Sequence, residues 1–338
     1  MHRSLLLLPL LVACSGGDDK GTDTAGGDSG SDTNGCDVIV DSTLPASGAI
    51  DADYRAAIEF HLSDADPTAT VSSSIAGTTT LADDNETVIF TPSAPLAPST
   101  DYTVTLEYCG GTVDLGFKTS SLGTPLPDTN VLVGKTFALD LAGARIVEPA
   151  GIGSVLSSYL TQDILVGVDT VSATEINMTG AIGKEDASPP AQDFCTPTID
   201  FPVADFDEQP FFQIGPQTTT LSVAGYSIEI GNLEITGTFA SDASYFGGGT
   251  LSGTIDTRPL APLLDDSGDE GAICDLAVSF GAVCEACPSD GEPFCLTLVA
   301  DQIVAVEVEG TSLSEVAGSD CEGCESGPPA PDAVCAEE

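Results

Sequence analysis

Apolar residues in this chain recur at every second position over short stretches, and that spacing excludes a helical fold for most of it. Ala56, Ile58, Phe60 and Leu62 alternate with Ala57, Glu59 and His61, the period of a strand with one face buried and the other in water. Thr87–Thr91 behaves likewise, and Tyr102–Tyr108 sets Tyr102, Val104, Leu106 and Tyr108 on one face. Asp83-Asp84-Asn85 and the stretch from Pro92 to Pro98 supply turn signals between them. Short strands at such intervals predict a β-sandwich over residues 36–120.

A linker at 121–130, carrying Pro125 and Pro127, separates this from a second domain at 131–338. The same period continues there. Phe137, Leu139 and Leu141 alternate with Ala138 and Asp140; Tyr226, Ile228 and Ile230 lead to Leu233, Ile235 and Gly237, then Leu251, Gly253 and Ile255. One stretch departs from it. Ile152, Val155, Leu156, Tyr159 and Leu160 form a helical stripe over Gly151–Leu160. A second short helix is expected after Arg258-Pro259, since proline suits a first helical turn. The fold class is therefore mainly β: a sandwich, then a mostly antiparallel sheet or open barrel with one or two short helices packed on it. Gly247-Gly248-Gly249 lacks the lysine and the following helix of a phosphate-binding loop, so it reads as a strand bulge or turn.

Charge narrows the partners. The 338 residues hold 8 Lys and Arg against 53 Asp and Glu. Such a surface repels phosphates, which excludes nucleic acid, and it repels anionic lipid headgroups as well. Solubility and mutual repulsion account for the acidity, with divalent cation uptake, a basic partner or a salty exterior as its functional readings. The acidic clusters Asp205, Asp207, Glu208 and Asp265–Glu270 lack the spacing of a calcium loop, so solvated turns are expected. No resident metal or cofactor is expected.

The chain opens with Arg3, an apolar run from Leu5 to Val12 broken by Pro9, and then Ala13-Cys14. This is the layout of a secretory signal peptide over residues 1–13, with an apolar core too short to cross a bilayer. Leu11-Val12-Ala13-Cys14 resembles the lipobox of bacterial lipoproteins. That resemblance implies cleavage before Cys14, acylation of Cys14, and membrane attachment through the N-terminal lipid. Ser15 after it implies the outer membrane of a Gram-negative cell, on its periplasmic or outer side. Residues 14–35 then form a lipidated cysteine and an acidic tether of Gly, Asp, Ser and Thr, with a reach of about 25 Å.

Export also sets the reading of the cysteines. Beyond Cys14 there are ten: Cys36, Cys109, Cys195, Cys274, Cys284, Cys287, Cys295, Cys321, Cys324 and Cys335. An even number in an exported chain predicts disulfides. Cys287 with Cys295, Cys274 with Cys284, and Cys321 or Cys324 with Cys335 are the nearest local pairs, and Cys195 needs a distant partner. Cys284-x-x-Cys287 and Cys321-x-x-Cys324 would suggest a four-thiolate zinc site in a cytosolic protein. The neighbouring cysteines and the export signal argue for bridges that staple a loop-rich end from Cys274 onward.

Leu44-Pro45-Ala46-Ser47-Gly48, Ile58-Glu59-Phe60, Thr87-Val88-Ile89-Phe90-Thr91-Pro92, Leu96–Val104 and Gly116-Phe117-Lys118-Thr119 together resemble the bacterial Ig-like modules of surface-layer type. The resemblance implies a spacer or structural module on the cell exterior, without catalysis. Cys36 and Cys109 flank it and are expected to pair and pin the tether to the sandwich, contributing about 4 kcal/mol in the chain-entropy model.

Catalytic machinery is missing. The chain has no Trp, and beyond the signal its one histidine is His61, on the wet side of a strand and without a nucleophile elbow. No catalytic residues are assigned, and the protein is not expected to be an enzyme. The expected function is that of an exported, lipid-anchored surface protein with a structural or binding role, its Ig-like module a spacer. The alternatives are a carrier of an apolar ligand in the second domain and a calcium- or carbohydrate-directed adhesin. An unknown envelope protein is the expected protein partner.

Overall fold

The computed structural model describes residues 36–141, 143–149, 163–184, 187–223, 226–263 and 269–316. Seven strands build the first module: β1 (Val40–Leu44), β2 (Ile58–Leu62), β3 (Thr70–Ser73), β4 (Gly77–Ala82), β5 (Thr87–Pro92), β6 (Asp101–Tyr108) and β7 (Gly111–Lys118). They form two antiparallel sheets, β1-β2-β5-β4 and β3-β6-β7. Alternation places the core: Ile58 and Phe60 from β2, Val88 and Phe90 from β5, Val104 and Leu106 from β6, Leu115 and Phe117 from β7 are all buried between the sheets. This is the sandwich that the sequence predicts.

The second module contains β8 (Thr136–Asp140), β9 (Arg145–Glu148), β10 (Ile164–Val171), β11 (Glu175–Ile182), β12 (Ile199–Asp200), β13 (Ala204–Asp205), β14 (Phe211–Val223), β15 (Tyr226–Phe239), β16 (Tyr245–Asp256) and β17 (Cys295–Glu307). Their pairing runs β10-β8-β17-β16-β15-β14-β13-β11, and β11 pairs back with β10. Among the described residues the sheet thus closes on itself, every pairing antiparallel, where the sequence left an open barrel or sheet. A ring of eight strands is just wide enough for side chains to fill. Phe137, Phe206, Phe212, Phe239 and Phe246 fill it, fully buried, with neighbouring ring centroids 5.1–6.2 Å apart.

Bulges bend the long strands. The two runs read at Tyr226–Ile230 and Leu233–Gly237 are one strand, β15, whose register slips between Gly231 and Glu234 at Asn232, where φ is 51°. The glycine triplet lies in β16 where the register against β17 also slips, as the sequence predicts. β17 departs from the expected loop-rich end. It starts at Cys295, runs in the barrel wall between β16 and β8, and buries Ala300, Ile303 and Ala305. The dense cysteines around it hide a nearly continuous apolar run from Leu296 to Val306.

The expected helix at Arg258 is a 3-10 helix, Arg258–Leu263, with Pro262 inside it; proline removes the N–H that an α-helical turn needs. An α-helix over Ala272–Val278 was not foreseen, and the stripe at Gly151–Leu160 lies outside the described residues. The stretch read as a linker is packed at both ends. Leu122 is buried in the sandwich core, and Leu126 packs on the barrel core. The described residues from Val38 onward belong to one compact unit.

Candidate functional site

Sandwich and barrel meet along a polar seam whose members are far apart in sequence. Glu59 projects from the wet face of β2, between Ile58 and Phe60, which fill the core. Arg145 on β9 reaches it with two hydrogen bonds, Nη1 to Oε2 and Nη2 to Oε1, both 3.0 Å. The β9–β17 register sets Asp301 opposite Arg145, and the same guanidinium donates through Nε to Asp301 Oδ1 at 2.9 Å and through Nη2 to Oδ2 at 2.6 Å. A planar fork gripping two carboxylates is the strongest geometry an ion pair offers. Asp301 and Glu59 hold the Arg145 pKa well above the ordinary arginine value. His61, two positions along the same face, places Nε2 3.3 Å from Glu59 Oε2 and Nδ1 3.2 Å from the Thr87 hydroxyl. That histidine belongs to the seam, set between the Glu59 carboxylate and the hydroxyl of the buried Thr87.

The glycine triplet seats the sandwich. Gly248 has φ +58°, and a Cβ built there would lie 2.7 Å from Asp53 Oδ2. A Cβ at Gly247 would lie 3.1 Å from Leu122 Cδ1, and one at Gly249 3.0 Å from Ile303 Cβ. Only a strand without side chains lets Asp53 and Leu122 approach so closely. Burial at this contact raises the Asp53 pKa above its ordinary 3.8, opposed by the Arg55 N–H and charge and reinforced by Asp301. Next to it, Tyr54 Oη lies 3.2 Å from Thr238 Oγ1 on β15.

An open cleft of about 580 Å³ runs beside this contact, lined by Tyr54, Arg55, Pro95, Gly123, Ala173 and the turn Asp207–Pro210. The Arg55 guanidinium lies over the Phe211 ring at 3.6 Å, donates through Nε to Tyr54 Oη at 3.2 Å, and pairs with Glu208. Gln209 Nε2 donates to the Ala173 carbonyl at 2.7 Å. Of the cluster read as a solvated turn, Asp207 and Glu208 lie exposed in one, while Asp205 ends β13 and accepts the Asp207 N–H through Oδ1 at 2.9 Å. Among the described residues no three His, Cys, Asp or Glu side chains converge as a metal site would require. The cleft and the seam are held by ion pairs and by cation–ring contacts.

The cysteine-rich end is stapled twice. Cys274 is bonded to Cys284 and Cys287 to Cys295, the two local pairs that sequence proximity suggested. Cys284-x-x-Cys287 is therefore split between two bridges, and its sulfurs are not available as zinc ligands or as a dithiol. Cys36 and Cys109 are each disulfide-bonded. Cys195 lies half-buried in a turn, its N–H donating to Asp193 Oδ1 at 2.9 Å. Cys14, the tether, Asp265–Gly268, Cys321, Cys324 and Cys335 lie outside the described residues.

Sequence reasoning noticed the glycine triplet and His61 but missed Asp53, Arg145 and Asp301 as a group. One signal was within reach: arginines are so scarce in this chain that each one must be held by several acids.

Residues 35–115 match the family model of a bacterial Ig-like domain. The match spans most of the sandwich and stops short of the barrel. The first module is thus Ig-like, of a kind that occurs in bacterial surface and structural proteins. No curated protein matches the chain.

Proposed function

We propose that this is an exported, lipid-anchored protein of the bacterial cell envelope, non-enzymatic, which holds a β-barrel away from the membrane on a rigid Ig-like stalk and uses the barrel's outer surface for binding. The observation that carries this reading is the Arg145 clamp between Glu59 and Asp301, with Asp53 seated on Gly248. A module locked in this way transmits orientation, as a stalk must, and does not swing as a loose bead would. The Ig-like match supports an exterior location, and Leu11-Val12-Ala13-Cys14 with the acidic stretch behind it supports the anchor.

The carrier reading has less behind it. Five phenylalanine rings occupy the barrel interior, so an apolar ligand would have to displace them. The adhesin reading through calcium has little support, because Glu208 is already paired with Arg55 and Asp205 with the Asp207 amide.

The test is detergent phase partitioning and intact mass of the full-length protein against its Cys14→Ser variant. The expected result is acyl mass on the N-terminal peptide and transfer of the variant to the aqueous phase. Aqueous partitioning of both proteins would overturn the anchor.

A further inference from the structure

The segment closed by the Cys274–Cys284 bridge is amphipathic in the reverse sense. Its helix, Ala272–Val278, buries the small Ala277 completely, while Leu276, Val278, Phe280 and Val283 stand 37, 58, 37 and 74 % exposed. Four large apolar side chains are shown to water within one short covalently closed loop, and such exposure in a folded protein marks an interaction site. The second bridge, Cys287–Cys295, and Arg258 fix the base of this loop to the barrel. Arg258 is gripped by Asp256 and Asp290 and lies over the Phe294 ring.

Charge says what fits there. Asp269, Glu270, Asp275 and Glu285, which flank the patch in sequence, are all exposed. The nearest arginine in the chain, Arg258, is already spent on its own two carboxylates, and the other described arginines are likewise paired internally, Arg55 with Glu208 and Arg145 with Glu59 and Asp301. The chain carries a formal charge of −45, and among the described residues no arginine outside these internal pairs is left to offset it at this loop. We propose that the loop Cys274–Cys284 is a docking surface for a cationic amphipathic segment of another protein. The partner's apolar residues pack on Leu276, Val278, Phe280 and Val283, and its Lys and Arg reach Asp275 and Glu285. A second copy would bring the same acids face to face, and an anionic bilayer would meet the rim with like charge. The inference rests on the binding role proposed above and deepens it; it does not depend on the lipid.

The test measures binding of a fluorescent helical peptide of leucine and lysine to the full-length protein by anisotropy, at low and moderate salt. A peptide with glutamate in place of lysine is the control. Val278→Ser/Phe280→Ser/Val283→Ser should bind the lysine peptide at least tenfold more weakly, and Asp275→Asn/Glu285→Gln should bind it more weakly with a shallower salt dependence. The single variant Val283→Ser, at the most exposed position, repeats the measurement if the triple variant loses its fold, and should weaken binding severalfold. Equal affinity for the patch variants would mean attraction by overall acidity alone and would overturn the proposal. So would absence of binding, a patch-dependent dimer in sedimentation, or patch-dependent flotation with phosphatidylglycerol vesicles. A failure here with Cys14-dependent partitioning intact removes the docking surface and leaves the anchor standing.

Discussion

Arg145 and Glu59 stand 86 positions apart in the chain and are joined by two parallel hydrogen bonds of 3.0 Å. One belongs to the barrel and the other to the sandwich, so this pair, with Asp301 behind it, decides whether the two modules act as one. Both carboxylates are more buried than the guanidinium, and removing the arginine takes from each the partner that neutralises it, leaving Glu59 only His61. Arg145→Met should cost about 1–2 kcal/mol, a figure reduced for partial solvent screening. Arg145→Lys should recover only part of that, because an ammonium cannot make the fork. Urea denaturation checks both, and a Met variant as stable as the parent would show that the clamp does not hold the seam.

Gly248→Ala tests the other half of the junction. The substitution places a Cβ at φ +58° and 2.7 Å from the Asp53 carboxylate, so strain and collision add to about 2–3 kcal/mol. Adding Asp53→Ala should relieve the collision but not the strain, giving a double variant more stable than the sum of the single effects. Strict additivity would mean that the two residues do not meet.

Asp66 is buried in the sandwich and accepts the Thr68 N–H and hydroxyl at 2.8 and 2.6 Å and the Cys109 N–H at 2.6 Å. Burial raises its pKa, the hydrogen bonds outweigh that, and the net value lies below the ordinary 3.8. A carboxylate depressed on folding stabilises above its unfolded pKa, and that stability is lost as pH falls through the folded value. Asp66→Asn should lower the melting temperature at neutral pH and flatten its fall below about pH 4. A parallel acid limb in parent and variant would contradict this.

Asp53 works in the opposite direction. Its folded pKa is raised, chiefly by burial, so its favourable contribution is complete below the unfolded 3.8 and is lost as pH rises through the folded value. Asp53→Asn keeps the acceptor for the Arg55 N–H and removes the charge. The variant should melt a few degrees higher than the parent at pH 7 and level with it near pH 3. A lower midpoint at pH 7 would mean that the ionised carboxylate is needed at the seam.

Cys287 and Cys295 are each only 2 % exposed and close a loop with a sequence separation of 8. Replacing both with alanine should cost about 2.5 kcal/mol in the chain-entropy model and loosen the start of β17. Calorimetry measures the loss, and an elemental scan of the parent should find no zinc bound at the Cys284-x-x-Cys287 pair.

Much of this architecture is local and so was legible in the sequence. Period-two alternation set the buried face of β2, β6 and β8 because a pleated strand turns successive side chains to opposite sides whatever its neighbours are. Short separations made Cys274–Cys284 and Cys287–Cys295 the natural pairs, since a small loop closes at little entropic cost. Three adjacent glycines marked a bulge because no side chain there supports a regular strand. The closure of the barrel between β10 and β11, the place of β17 in its wall between β16 and β8, and the meeting of Arg145 with Glu59 and Asp301 had no such local signature. Each joins segments tens of residues apart, and the energy that selects one partner appears only when the distant registers are set together. Sequence was enough for the strands with clean alternation, such as β2, β6, β8 and β15, for their wet faces, and for a chain that is acidic and scarce in arginine. Only the tertiary structure decided that two β modules share a seam. A clamp of one guanidinium and two carboxylates is favourable only where folding has already brought its three groups to one place.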